Sequence, residues 1–150
     1  LADLARSVRD ELAPIAQQKN ITISAKVESA RIDGMEDAVR LMVTNLTDNA
    51  IRYTPEGGRI EIRTRFCDGL STIEILDNGP GIAPEERQRV FDRFYRALGT
   101  KTAGTGLGLA IVKRIVDIHH GTITIEDGLD GRGTCFRLTF PPLGASLPGS

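Results

Sequence analysis

Residues 45–58 read NLTDNAIRYTPEGG and close a helical run that begins near residue 36. Val39, Val43, Leu46 and Ala50 recur at the spacing of one buried helix face. Asn45, Asn49 and Arg52 stand at i, i+4 and i+7, a second line along the border of that face. Amides and a guanidinium are weak choices for an edge that meets only water or apolar neighbours, but they suit a ligand carrying phosphate and a metal ion. Capping or local hydrogen bonding by the asparagines is the other reading the spacing permits.

Downstream, RIEIRTRF (59–66) and STIEILD (71–77) alternate apolar and polar residues around CDGL and predict a β-hairpin. DNGPG (77–81) then sets an Asp where a buried strand meets a glycine turn. A carboxylate there can accept from a donor-bearing ring such as the exocyclic amine of adenine. Pro84 followed by Glu85 and Glu86 reads as the first turn of a short helix. In FDRFY (91–95), Phe91 and Phe94 read as an aromatic anchor, with Arg93 and Arg96 able to face phosphate. ALGTKTAG (97–104) is small, polar and glycine-bearing, a plausible lid over a nucleotide.

GTGLGL (104–109) lacks the GK[ST] of a P-loop, and Leu109 stands where a dinucleotide-binding GxGxxG needs glycine. What remains is a loop that runs into a helix whose free N–H groups favour phosphate. That helix, 106–118, is expected to bury Leu107, Ile111, Ile115 and Ile118 and to stop at Gly121. His119 and His120 in its last turn read as caps of carbonyl groups rather than catalysts. TITIED and TCFRLTF, joined by GLDGRG, predict two more strands.

Upstream, Leu1, Leu4, Val8, Leu12 and Ile15 mark an amphipathic helix that Pro14 is expected to bend or interrupt. A start inside a helix suggests a piece of something longer. ITISAKV (21–27) predicts a half-buried strand, and IDG (32–34) a further short strand or turn. PPLGASLPGS at the end has too little apolar content to pack and reads as a disordered tail. These elements imply an α/β two-layer sandwich, a largely antiparallel sheet with helices over one face and the other face exposed or covered by a partner.

Composition agrees with one core. The 150 residues are 40% hydrophobic, enough for a single domain. With 19 Lys and Arg against 20 Asp and Glu, the net charge gives no footprint for nucleic acid or an anionic membrane surface. No apolar run approaches a membrane span, and the N-terminus lacks the order of a signal peptide. Cys67 and Cys135, without CxxC or metal-ligand spacing, read as reduced packing residues of a cytosolic protein.

Taken in order, the motifs resemble the ATP-binding catalytic domain of sensor histidine kinases, within the wider family of gyrase B, the Hsp90 chaperones and MutL. NLTDNAIRYTPEGG is similar to the N box of that family, DNGPGI to its G1 box, FDRFYR to its F box, GTGLGLAI to its G2 box and GRGTCF to its last glycine motif. The resemblance implies a Bergerat-type α/β sandwich over residues 21–140, with 1–20 leading in from the dimerisation helices and 141–150 as the tail. It implies ATP and Mg²⁺ as the cofactors, Asn49 as the Mg²⁺ ligand, and Asn45 beside phosphate or metal-bound water. Arg52, where the family more often has Lys, would meet phosphate, and Tyr53 would lie against adenine. Asp77 would accept from the adenine amine, with Gly79, Gly81 and Ile82 around the base. Gly104, Thr105, Gly106, Leu107, Gly108 and Leu109 would line the phosphate loop, and Arg96 would neutralise charge on the γ-phosphate.

The same resemblance separates rival activities. ATPase branches of the family carry a Glu one turn before the metal-binding Asn, to activate water. Here that position is Asn45, and an amide cannot take a proton. A histidine acceptor needs no such base, because neutral imidazole is already a nucleophile near pH 7. The expectation is therefore a protein-histidine kinase domain, with a clamp-type ATPase or a degenerate partner-binding module as alternatives. Neither His119 nor His120 has the family's acceptor context, H-E-[FL]-R-x-P. The implied partners are a histidine-bearing dimerisation domain of the same protein and a response regulator. The parent is expected to be a homodimeric inner-membrane sensor with this domain in the cytoplasm, the fragment itself being monomeric without membrane contact.

Overall fold

A computed structural model describes residues 2–28, 36–87 and 108–141. Three helices, α1 (Ala2–Gln18), α2 (Glu36–Tyr53) and α3 (Gly108–Ile118), accompany strands β1 (Thr22–Val27), β2 (Arg59–Cys67), β3 (Leu70–Asp77), β4 (Thr122–Glu126) and β5 (Cys135–Phe140). The sheet order is β1-β2-β3-β5-β4. Only β1–β2 is parallel among these pairs; the rest are antiparallel. This is the expected α/β sandwich.

The hairpin forms where the sequence places it. Cys67 pairs with Leu70 across Asp68 and Gly69, both at positive φ (55° and 78°), the conformation that a two-residue turn between twisted strands requires. Alternation then sends Ile60, Ile62, Ile73, Ile75, Phe136 and Leu138 into the core beneath the helices. Val39, Val43, Leu46 and Ala50 of α2 meet them, together with Met42 and Ile51.

The opposite sheet face is closed by the chain's own long side chains. Glu61 and Glu74 point there yet are buried (7% and 2% exposed). Arg137 Nε donates to Glu74 Oε2 at 3.0 Å. Arg65 Nη2 lies 3.0 Å from Oε1, an ion pair without hydrogen-bond alignment. Arg63 pairs with Glu61, and Arg137 also with Glu126. The basic stems cover the carboxylates while their heads reach water. Cys135 lies beneath, a free buried thiol pushed up to about 12 by burial and by the charge of Glu74. It stays protonated and packs as a small apolar group.

Four helix details correct the sequence reading. Pro14 does not interrupt α1, which runs unbroken to Gln18. The ring is exposed, and so is Asp10, whose carbonyl loses its helical donor to Pro14. Second, the buried line of α1 is Leu4, Ala5, Val8, Leu12 and Ala16, with Ile15 45% exposed. A line of four-residue steps drifts around a 3.6-residue helix, so by the last turn it has passed Ile15 and reached Ala16. Third, α3 buries Val112, Ile115 and Val116, while Ile111 and Ile118 are 40% and 59% exposed. Of the residues expected on that face only Ile115 is in the core; Leu107 lies outside the described residues. The end of α3 also differs. His120, not Gly121, takes the left-handed turn (φ 58°), and Gly121 N donates back to Val116 O at 2.9 Å. Gly121 is needed for another reason, since a Cβ there would stand 2.8 Å from the Phe140 ring and from Thr139 O.

Candidate nucleotide site

The end of β3 is held by hydrogen bonds from two other segments. Asp77 is 6% exposed. Its Oδ1 accepts from Gly79 N at 2.9 Å and from Thr134 N at 3.1 Å, while Oδ2 accepts nothing among the described residues. Burial pushes this carboxyl above its ordinary range, and the two backbone donors pull it back. One oxygen is thus anchored and the other is left for an incoming N–H.

Glycines let the backbone close around that carboxylate. A Cβ on Gly79 would meet Tyr53 O at 3.1 Å and Thr54 Cα at 3.3 Å. Gly81 has φ +82°, and a Cβ there would stand 2.8 Å from Gly133 O. From the β4–β5 connection, a Cβ on Gly128 would come within 2.1 Å of Asp77 O, and one on Gly133 within 2.2 Å of Asp77 O and 2.5 Å of Oδ1. GRGTCF is legible as a glycine motif, but nothing local marks Gly128, Gly133 or Thr134 as neighbours of Asp77. The signal available was three glycines, at 128, 131 and 133, in a connection between two strands.

Asn78 ties this loop to β2, its Oδ1 accepting from Arg59 N at 2.8 Å. Beyond it, the 3₁₀ turn Pro84–Glu86 has Pro at its start, as expected. Arg87 then fastens the segment, donating from Nε to Ile82 O (3.0 Å), from Nη1 to Ile125 O (3.3 Å) and from Nη2 to Asp127 Oδ1 (3.1 Å).

The α2 line is of a different kind. Asn45 and Asn49 are half-buried and, among the described residues, commit neither amide to a hydrogen bond. Arg52 is exposed and pairs with Asp48 at 3.1 Å, one turn back. Tyr53 is half-buried at the end of the helix, its carbonyl against Gly79. An amide oxygen is a hard donor that suits Mg²⁺ completed by phosphate and water, so an uncommitted Asn49 fits that ion. Leu109 is half-buried in the first turn of α3 and packs on the core, and Gly108 opens the helix. Phe91, Arg93, Phe94, Arg96, the 97–104 segment, Gly104, Thr105, Gly106 and Leu107 lie outside the described residues. His119 Nδ1 is 2.8 Å from Ile115 O and its ring meets Phe140 edge-on at 6.5 Å, the capping role expected of it. Among the described residues no helix is long and apolar enough to cross a membrane.

Comparison with known proteins gives this geometry its context. The chain is 44% identical over 142 residues to the sensor protein kinase PmrB of Pseudomonas aeruginosa, covering 94% of this chain and 30% of that protein. It is therefore about a third as long as the relatives it matches. Among solved structures it resembles the mycobacterial sensor histidine kinase MprB (TM-score 0.79, 31% identity, 91% of this chain and 94% of that one). It also resembles full-length ShkA, solved in complex with AMPPNP (TM-score 0.83, 32% identity, 98% of this chain and 31% of that one). Residues 34–144 match the family described as histidine kinase-, DNA gyrase B-, and HSP90-like ATPase, and the chain belongs to that family, on its sensor histidine kinase side.

Proposed function

We propose that this domain binds Mg-ATP and donates the γ-phosphoryl group to a histidine on the dimerisation helices of its parent, a membrane-anchored sensor that passes the phosphoryl group to a response regulator. The observation that carries the reading is Asp77, a buried carboxylate with Oδ1 fixed by two backbone N–H groups. Its other oxygen offers an acceptor to the adenine amine, where guanine would bring an acceptor of its own. Gly79, Gly81 and Ile82 border the base, with Tyr53 against it.

On α2, Asn49 would hold Mg²⁺ through its amide oxygen, Asn45 would bind phosphate or metal-bound water, and Arg52 would turn from Asp48 to phosphate. The ion neutralises charge on the phosphates when bound. Gly104, Thr105, Gly106, Leu107, Gly108 and Leu109 would line the phosphates at the start of α3, and Arg96 would face the γ-phosphate. The position from which ATPase members of the family activate water is Asn45 here, and its amide cannot take a proton. The domain therefore positions ATP for an imidazole that is already nucleophilic.

The test mixes this chain with the parent's histidine-bearing helices and γ-labelled ATP. We expect label on the helices, lost in acid and kept in base as a phosphoramidate is. Fast phosphate release without labelled helices would move the protein to the ATPase branch.

A further inference from the structure

We propose that Lys19 is a positioning residue for the nucleotide, acting through the last turn of α2. This rests on the nucleotide reading of that helix. In a helix, the carbonyl of Ile51 would pair with the N–H of residue 55, but that residue is Pro55 and has none. The last bond of the ladder is Thr54 N to Ala50 O, 2.9 Å. Lys19 supplies the missing donor from outside the helix: Nζ donates to Ile51 O at 2.8 Å and lies 3.3 Å from Arg52 O. An ammonium there also meets the negative end of the helix dipole.

The α1–β1 turn adds further bonds to the same connection. Gly57 N donates to Lys19 O (3.0 Å) and Thr22 N to Gly58 O (3.1 Å). Asn20 Nδ2 donates to Glu56 Oε1 (2.8 Å), and Asn20 holds the left-handed conformation (φ 55°) that turns the chain there. The held segment reaches the base side of the site. A Cβ on Gly58 would collide with Thr54 Cγ2 (2.2 Å) and Asn78 Oδ1 (2.9 Å), and the carbonyl of Tyr53 backs Gly79. Fixing Ile51 and Arg52 thus fixes Arg52 and Tyr53 relative to the Asp77 loop, although Lys19 itself lies at the foot of α1. Positional error of this kind is costly where a ligand is held from two elements.

The test titrates the 150-residue chain with Mg-ATP by calorimetry and measures urea unfolding of each variant. Lys19→Met is expected to weaken Mg-ATP binding about tenfold under conditions where it is folded, and Lys19→Arg to stay within about twofold of the unaltered chain. Lys19→Gln, which keeps one donor without charge, should fall between them and serves if the Met variant does not fold. Arg40→Ala breaks the other link between α1 and α2, Arg40 Nη1 to Ser7 Oγ at 3.0 Å and to Glu11 at 3.6 Å. It should alter the urea midpoint and leave Mg-ATP affinity in place. Unaltered affinity in folded Lys19→Met or Lys19→Gln, or equal losses in Lys19→Met and Arg40→Ala, would overturn the positioning role while the nucleotide reading stands. Failure of the unaltered chain to bind Mg-ATP would overturn both.

Discussion

The two sides of the candidate site are built on opposite principles. Around Asp77 the proposed recognition surface is the backbone itself: the carboxylate is buried, two N–H groups hold one oxygen, and glycines at 79, 128 and 133 admit approaches that no side chain would allow. On α2 the proposed chemistry would be carried by side chains at a half-exposed helix edge, with Asn45 and Asn49 uncommitted among the described residues and Arg52 in a surface ion pair with Asp48. On the proposed base side the close contacts are made within the protein, so changes that open them should cost stability as well as binding. The α2 side chains proposed to meet phosphate stand at a half-exposed edge, and their changes should cost binding alone.

Gly133→Ala should break the first side most severely. At φ +74°, with a Cβ 2.2 Å from Asp77 O, we expect a loss of at least about 2 kcal/mol, a melting point lower by roughly 4–8 °C, and no measurable adenine preference. A variant with unchanged melting and unchanged ATP affinity would contradict the description of this side. Next in size is Asn49→Ala, expected to weaken Mg²⁺-dependent nucleotide binding about tenfold or more, with unfolding within about 0.5 kcal/mol of the parent. Unfolding in parallel with lost binding would erase the distinction between the sides.

Asp77→Asn sharpens the comparison, because it should lower function and raise stability together. Burial raises the native pKa of Asp77, so between the unfolded and folded values the native state holds more protons than the unfolded one. Stability from this group is therefore present below the unfolded value and lost as pH rises through the folded one. The urea midpoint of Asp77→Asn minus that of the parent should grow over the same interval and then level off, and a difference independent of pH would contradict it. Discrimination of ATP over GTP should fall by about tenfold, since an amide can present a donor or an acceptor. The smallest effect is expected for Arg52→Ala: about 0.5 kcal/mol or less from the exposed pair with Asp48, and weaker binding of ATP with adenosine binding unchanged. Equal losses for ATP and adenosine would deny Arg52 a phosphate role.

What could be read from the sequence follows the range of each interaction. The α2 stripe and the Asp68-Gly69 hairpin were legible because period and turn chemistry are local. The face of α3 was not, since Ile111 and Ile118 mark one helical stripe and Val112 and Val116 another, and only packing against the sheet selects between them. Pro14 does not break α1, because an exposed ring in a helix held by its other face leaves the turns around it in place. On the base side, Asp77 was legible as a carboxylate at a strand end. Its partner Thr134 lies 57 residues away, and the roles of Gly128 and Gly133 exist only through that contact. The Asn45–Asn49–Arg52 line was visible as spacing, but coordinates were needed to see that Arg52 pairs with Asp48 while the two asparagine amides make no hydrogen bond among the described residues.

The most direct measurement is a calorimetric titration of the 150-residue chain with ATP and with GTP, each with and without Mg²⁺, following phosphate release in the same samples. We expect adenine-selective binding that Mg²⁺ strengthens, with negligible release, because in the proposed reading Asp77 would select the base and Asn45 stands where a water-activating carboxylate would be. Equal binding of ATP and GTP would contradict the role proposed for Asp77. Rapid release of phosphate would contradict the kinase reading.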